Sequence, residues 1–340
     1  MRIAVDAMGG DNAPEAIVSG AVVAARELGV DVVLVGPEAR VGEELARHPG
    51  PPALEIVDAP EIIEMNEAPA MALRRKRRAS VVVAVELLKA RRVDAVVTAG
   101  HTGAAMGAAL FGLGRIPGVD RPAIAAVLPT QTERPAILLD VGANIDCKPQ
   151  HLLQFALMGS VYANRVLGTA APRVGLLSNG VEEGKGSELT LAATPLLRDS
   201  GLNFVGNVEA RDFFLGVADV VVCDGFVGNV TMKFGQGLAL AIRNIVKEEL
   251  RGLRGKLLRL YLAPLVGSVL RLYRRIDYRE YGGAPLLGID GVVIIAHGSS
   301  NARALRNAIR VATETVSHGF VEELRARMPQ TRGATLERTT

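Results

Sequence analysis

The chain has 340 residues, 49% hydrophobic and 22% charged, a globular balance with length for one large domain or two ordinary ones, and not that of a disordered polymer. A formal charge of +3, aromatic residues at only 4% and the absence of tryptophan argue against a base-stacking nucleic-acid binder. Two cysteines, Cys147 and Cys223, support no disulfide framework, and no spacing joins them to the five histidines as a metal site.

The N-terminus, MRIAVDAMGG, reads as a strand and lacks the apolar core of a signal peptide. No run reaches the roughly 18 apolar residues of a membrane span. A cytoplasmic protein with no metal, no cofactor and no nucleic-acid partner is therefore expected.

Along the chain, short β-branched runs alternate with Ala/Leu-rich stretches. Strands are expected over 2–6, 31–35, 54–58, 93–98, 123–128, 136–141, 173–177, 217–223 and 291–296. Most are continuous apolar runs, the pattern of strands covered on both faces in a parallel sheet. Helices are expected over 13–28, 80–90, 102–113, 150–167, 188–197 and 230–250. This alternation predicts an α/β fold: a doubly wound, mostly parallel sheet in an α/β/α sandwich. One large domain over 1–327 is expected, with a helical excursion at 250–281 and a polar, frayed tail over 328–340.

Glycine-rich turns follow several of these strands: DAMGGD at 6–11, GHTG at 100–103, DVGAN at 140–144, DGFVGN at 224–229 and AHGSSN at 296–301. In a parallel sheet such turns gather beyond the carboxyl ends of the strands and aim free N–H groups at an anion. One such turn is ordinarily only a turn, but five point to a polar, anion-binding cleft. None reads G-x-G-x-x-G after the first strand or G-x-x-x-x-G-K-[ST], so nicotinamide and P-loop sites lose their main support. Gly9, Gly10, His101, Thr102, Gly103, Asn144, Gly228, Ser299 and Asn301 are the candidate phosphate- or substrate-binding residues.

A longer segment reads GLLSNGVEEGKGSEL over 175–189, followed by FVGNVEARD over 204–212. Together with DAMGGD, DGFVGN, YGGAPLLG at 281–288 and AHGSSN, it resembles the bacterial phosphate acyltransferase family of phospholipid synthesis. The similarity runs from Met1 to about Arg327. It departs from the family at His101, where asparagine is common, and at Ser178-Asn179-Gly180, where Asn-Ile-Gly is common. The resemblance implies a fold related to phosphotransacetylases and isocitrate dehydrogenases. It implies conversion of acyl carrier protein thioester and inorganic phosphate into acyl phosphate. It further implies a homodimer, peripheral membrane association and delivery of product to a glycerol-3-phosphate acyltransferase.

Phosphate is the nucleophile of such a reaction, so donors must hold it in near-attack geometry and other donors must meet the oxyanion. Lys185, flanked by glycines, is expected to bind phosphate. Asn229 and Asn144 are expected donors, unless they serve only their turns. His297, and with less weight His101, are candidates to bind phosphate or protonate the thiolate, with a structural histidine as the alternative. Asp6 and Asp11 are read as fixing loop N–H groups or capping the first helix. Cys147 and Cys223 are read as packing groups.

The basic run Arg74-Arg75-Lys76-Arg77-Arg78 is either a solvated face or a contact for phosphate or an acidic carrier protein, and arginines at a helix N-terminus would oppose its dipole. Residues 250–279 flank an apolar run with arginines, which fits two amphipathic helices on an anionic membrane surface or a dimer hairpin. The other readings are a coenzyme A-dependent phosphotransacetylase, a decarboxylating dehydrogenase and an inert membrane scaffold.

Overall fold

The computed structural model describes residues 1–50, 53–132, 134–249 and 280–336. The expected excursion at 250–279 lies outside them. In chain order the first elements are β1 (Arg2–Asp6), α1 (Glu15–Leu28), β2 (Asp31–Gly36), α2 (Glu38–Ala46), β3 (Glu55–Asp58), α3 (Pro69–Arg75), α4 (Ser80–Lys89), β4 (Ala95–Thr98) and α5 (Thr102–Gly112). Then come β5 (Ala123–Leu128), β6 (Ala136–Leu139), α6 (Pro149–Arg165), β7 (Val174–Ser178), α7 (Glu188–Arg198), β8 (Phe204–Glu209), α8 (Ala210–Phe213), β9 (Val220–Val222) and α9 (Gly225–Glu249). The chain closes with β10 (Ala284–Leu287), β11 (Val292–Ile295), α10 (Ala302–Ser317) and α11 (Phe320–Leu336).

Among the described residues the strands form one 11-stranded sheet, ordered β3-β2-β1-β4-β11-β10-β5-β6-β9-β7-β8. The sheet is mostly parallel, as expected, but its polarity reverses in the middle. β10 is antiparallel to β11 and to β5, and β5 is antiparallel to β6. Three reversals leave β6, β9, β7 and β8 running against β1, β2, β3, β4 and β11. The glycine-rich turns therefore do not all leave one end of the sheet.

Strand residues alternate between two apolar layers. Ile3 and Val5 pack on one face with Ile17 of α1, Phe155 of α6 and Leu305 of α10. Ala4 packs on the other with Val85 of α4 and Ala109 of α5. A strand with apolar side chains on both faces is stable only with helices on both sides, and that gives the α/β/α sandwich. α6 is buried along nearly its whole length, from Leu152 to Ala163. Its Tyr162 hydroxyl lies 3.4 Å from Thr315 Oγ1, and burial pushes the phenol up to about 12.

β8, β10, α2, α3, α8, α10 and α11 were not among the expected elements. Helix α11 reaches Leu336, and Met328 is 1% exposed. The basic run also differs from expectation. Arg74 and Arg75 occupy the last turn of α3, where cations complement the helix dipole. Lys76 is engaged by Glu67 and by Ile62 O, and Arg78 by Asp58 at 2.9 Å.

Arg173, just before β7, joins the feet of β7 and β9. Its backbone N–H and Nε donate to Asp219 Oδ2 at 2.8 and 3.1 Å. Burial alone would raise the Asp219 carboxyl, but the Arg173 hydrogen bonds and charge outweigh it and hold the group below its ordinary range. A depressed carboxyl contributes stability above its unfolded value and loses it as pH falls through the folded one. The melting difference between the parent and Asp219→Asn should therefore be constant near neutrality and shrink below pH 3.8, the ordinary value. A gap that persists unchanged to lower pH would contradict this.

Candidate functional site

The glycine-rich turns form two groups. The first lies at the carboxyl ends of β1, β4 and β11. Asp6 is 3% exposed and accepts from Thr98 Oγ1 at 2.7 Å and Met8 N at 3.2 Å. Burial raises its carboxyl, against the pull of hydrogen bonds from Ser80, Thr98, Met8 and Gly9. Asp6 thus fixes loop N–H groups, as read, while α1 is preceded by Pro14 and has no side-chain cap. Asp11 N donates to Gly298 O at 2.8 Å, which ties the 6–11 turn to the 296–301 turn.

His101 caps α5, its Nδ1 accepting from Gly103 N at 3.0 Å. A neutral ring in that role carries its proton on Nε2. His297 Nδ1 lies 2.8 Å from Ser299 Oγ and accepts from Ser299 N. Asn301 caps α10 by accepting from Ala304 N at 3.0 Å, a structural duty where a phosphate contact was expected. Beside this group opens a pocket of about 420 Å³ lined by Met8, Gly10, Asp11, Arg40, Ile62 and Met65, among others.

The second group lies at the other end of the strands, where β6, β9 and β7 terminate. Asp140 is 0% exposed and gathers the loop around itself. It accepts from Ile124 N, Gly142 N, Ala143 N, Asn144 N and Asn144 Nδ2 at 2.7–3.2 Å. Burial raises its carboxyl and these donors pull it down. The loop N–H groups expected to meet an external anion are thus already occupied by a resident carboxylate.

Asn144 corrects the sequence reading in the same way. Its two amide hydrogens go to Pro122 O at 2.7 Å and Asp140 Oδ2 at 3.0 Å, so it has none left for phosphate. Asn229 uses one, to Val141 O at 3.0 Å, and the other has no partner among the described residues. Asp224 caps α9, accepting from Phe226 N and Val227 N at 3.0 and 2.9 Å. Gly228 is required beneath this packing, because a Cβ there would overlap the Asp140 carbonyl.

Lys185 stands on the neighbouring loop, between β7 and α7. Asn207 Nδ2 pins that loop through Glu182 O at 3.0 Å and Lys185 O at 3.3 Å. Gly186 adopts φ +121°, a conformation suited to glycine, and Ser187 then caps α7. The Lys185 side chain is exposed and has no ion pair among the described residues. The strand order β6-β9-β7 sets Asp140, Asn229 and Lys185 in one row. Apolar side chains rim it, with Ile145 68%, Val181 58% and Phe226 60% exposed.

Among the described residues no group of His, Cys, Asp and Glu is arranged to hold a metal ion. Cys147 lies in the second group, and burial, with Asp140 and Asp224 nearby, pushes its thiol up to about 12. It should stay unreactive toward iodoacetamide at pH 8 while glutathione reacts, because the thiolate is the nucleophile. Rapid alkylation of the native protein, followed by mass spectrometry, would contradict that.

The sequence matches the family described as fatty acid synthesis protein over residues 1–323. The phosphate acyltransferase of Pelotomaculum thermopropionicum is 54% identical over 326 residues, covering 96% of this chain and 94% of that one. The phosphate acyltransferase of Nostoc sp. is 50% identical over 329 residues, covering 96% of each. In fold, the chain resembles a phosphotransacetylase from Streptococcus pyogenes, with a TM-score of 0.64 at 17% identity over 93% of this chain and 94% of that one. A 4-hydroxythreonine-4-phosphate dehydrogenase from Klebsiella pneumoniae shares it at a TM-score of 0.56 and 15% identity, over 93% and 99% of the two chains. The chain belongs to the phosphate acyltransferase family and is an enzyme of that kind.

Proposed function

We propose that the enzyme transfers a fatty acyl group from an acyl carrier protein thioester to inorganic phosphate. The observation that carries this reading is the row formed by Lys185 and Asn229. It offers an exposed lysine without an ion pair and an amide hydrogen without a partner, both among the described residues, beside loops whose own N–H groups are occupied. A phosphate bound there is held by a point charge and one neutral donor, which leaves an oxygen exposed for attack.

A phosphate oxygen attacks the thioester carbonyl carbon and forms a tetrahedral oxyanion. The C–S bond then breaks and the pantetheine sulfur leaves as a thiolate, which takes a proton from solvent. Lys185 offsets the charge on phosphate and on the oxyanion. A thiolate is a competent leaving group, so an enzymic acid is dispensable. His297 and Ser299, engaged with each other at the end of β11, are not assigned to the attack.

The acyl phosphate would feed a glycerol-3-phosphate acyltransferase at the membrane. Among the described residues no helix is long and apolar enough to cross one, and the segment read as a peripheral anchor lies at 250–279. The exposed face of α9, with Phe226 60%, Val230 54%, Phe234 74% and Leu238 53%, supports association of two copies.

Incubation with palmitoyl-carrier protein and phosphate, read by mass spectrometry, tests the reaction. Acyl phosphate is expected, with slower turnover of palmitoyl-coenzyme A. Folded protein that yields none with either thioester would sink the proposal, and a preference for coenzyme A would favour the phosphotransacetylase reading.

A further inference from the structure

Arg121 is an exposed cation at the foot of β5. The antiparallel register, with Ala125 opposite Leu139, sets the chain before β5 beside the loop that leaves β6. Two hydrogen bonds fix that neighbourhood. Asn144 Nδ2 donates to Pro122 O at 2.7 Å, and Ile124 N donates to Asp140 at 3.0 Å.

The Arg121 charge acts on Cys147 beyond that loop and on His151 of α6. Burial is the main cause of the raised Cys147 thiol and of the lowered His151 imidazole, and Arg121 pulls both downward. The carboxylates of this neighbourhood already have donors. Asp120 accepts from Gln154 Nε2 at 2.9 Å, Asp140 from the loop, and Asp224 from the start of α9. Arg121 itself has no ion pair among the described residues.

The sheet then sets the spacing. β5, β6, β9 and β7 are consecutive in the strand order. Arg121 precedes the first strand of that row and Lys185 lies in the loop after the last, and the two outer strands are three spacings or roughly 14 Å apart. Asn229 lies between them. Side chains of this length are long enough to reach inward from the two ends toward a single tetrahedral anion above β6 and β9. The pairing also divides the work, since a guanidinium grips two oxygens through its planar fork while an ammonium acts as a point charge.

We infer that Arg121 is a second anion-binding residue of this site, gripping phosphoryl oxygens opposite Lys185. The inference takes its ligand from the proposed reaction, in which such oxygens come from inorganic phosphate or from the phosphodiester of the carrier's pantetheine arm.

The test compares the parent with Arg121→Gln and Arg121→Lys, with melting curves to verify folding. Calorimetry measures binding of inorganic phosphate without turnover. Steady-state kinetics measure KM for phosphate, for acyl carrier protein and for an acyl-pantetheine that lacks the phosphodiester. Arg121→Gln should raise the Kd and KM for phosphate roughly ten- to a hundredfold, the loss of a charge-assisted contact, and Arg121→Lys should raise them less. A rise in KM for the carrier thioester, absent with acyl-pantetheine, would also support the inference and identify the phosphodiester as the group held. Unchanged phosphate binding and unchanged KM values in folded Arg121→Gln would overturn it. If the parent binds phosphate through Arg121 yet makes no acyl phosphate, the reaction fails while the anion site stands.

Discussion

Replacement of Lys185 by alanine should lower kcat/KM for acyl phosphate formation about 10²–10³-fold, the scale seen when one preorganised donor to a developing oxyanion is removed. The side chain is exposed and engaged by no carboxylate among the described residues, so the melting temperature should hardly move. That separates the expected loss from a folding defect. Lys185→Arg should recover part of the activity, because it keeps the charge but delivers it from a larger, planar group. The kinetic split carries further information. A lysine that contacts only ground-state phosphate would raise KM and leave kcat alone. One that also meets the oxyanion would lower both kcat and kcat/KM. Full activity in folded Lys185→Ala would remove the residue from the mechanism and leave Asn229 without a cationic partner on that loop.

Much of the sheet was legible in the sequence because its strands are covered on both faces. β1 and β5 lie where their continuous apolar runs predict, at Arg2–Asp6 and Ala123–Leu128. β8 was not expected because Gly206 and Asn207 interrupt an edge strand that is only partly buried. β10 is four residues long and contains Pro285, which reads against a strand inside a sheet. α10 was within reach, since Leu305, Ala308, Ile309 and Ala312 carry the helical period and all are buried.

The candidate site was legible as loops but not as an arrangement. Strand direction is a tertiary property, and β10 was the element needed to read the reversal that divides the turns into two groups. Lys185 was visible because of its flanking glycines and its resemblance to a known motif. Arg121 was not, because its relation to the 140–147 loop exists only through the antiparallel pairing of β5 with β6. The same pairing changes the meaning of DVGAN. Its glycine and asparagine suggest a loop open to an anion, whereas Asp140 at its start already supplies one.

Asp140→Ala should be the most damaging single change to the fold around the site. It would remove the acceptor of four backbone N–H groups, those of Ile124, Gly142, Ala143 and Asn144, and of the Asn144 side chain. Buried donors left without a partner cost about 1–3 kcal/mol each, but the loop would relax and admit water, so a net loss of about 3–5 kcal/mol is expected. In a chain of this size that lowers the melting temperature by roughly 5–10 °C. Asp140→Asn should fall between parent and alanine. It keeps one oxygen as an acceptor but turns an NH₂ toward groups that are themselves donors. Activity should fall further than stability alone explains, because Asn229 donates to Val141 O and moves with the loop. The measurement is a melting curve for each variant, paired with kinetics at a temperature where all three remain folded. An Asp140→Ala protein that melts with the parent would show that the loop N–H groups are satisfied without the carboxylate, and those N–H groups would then be free to bind phosphate after all.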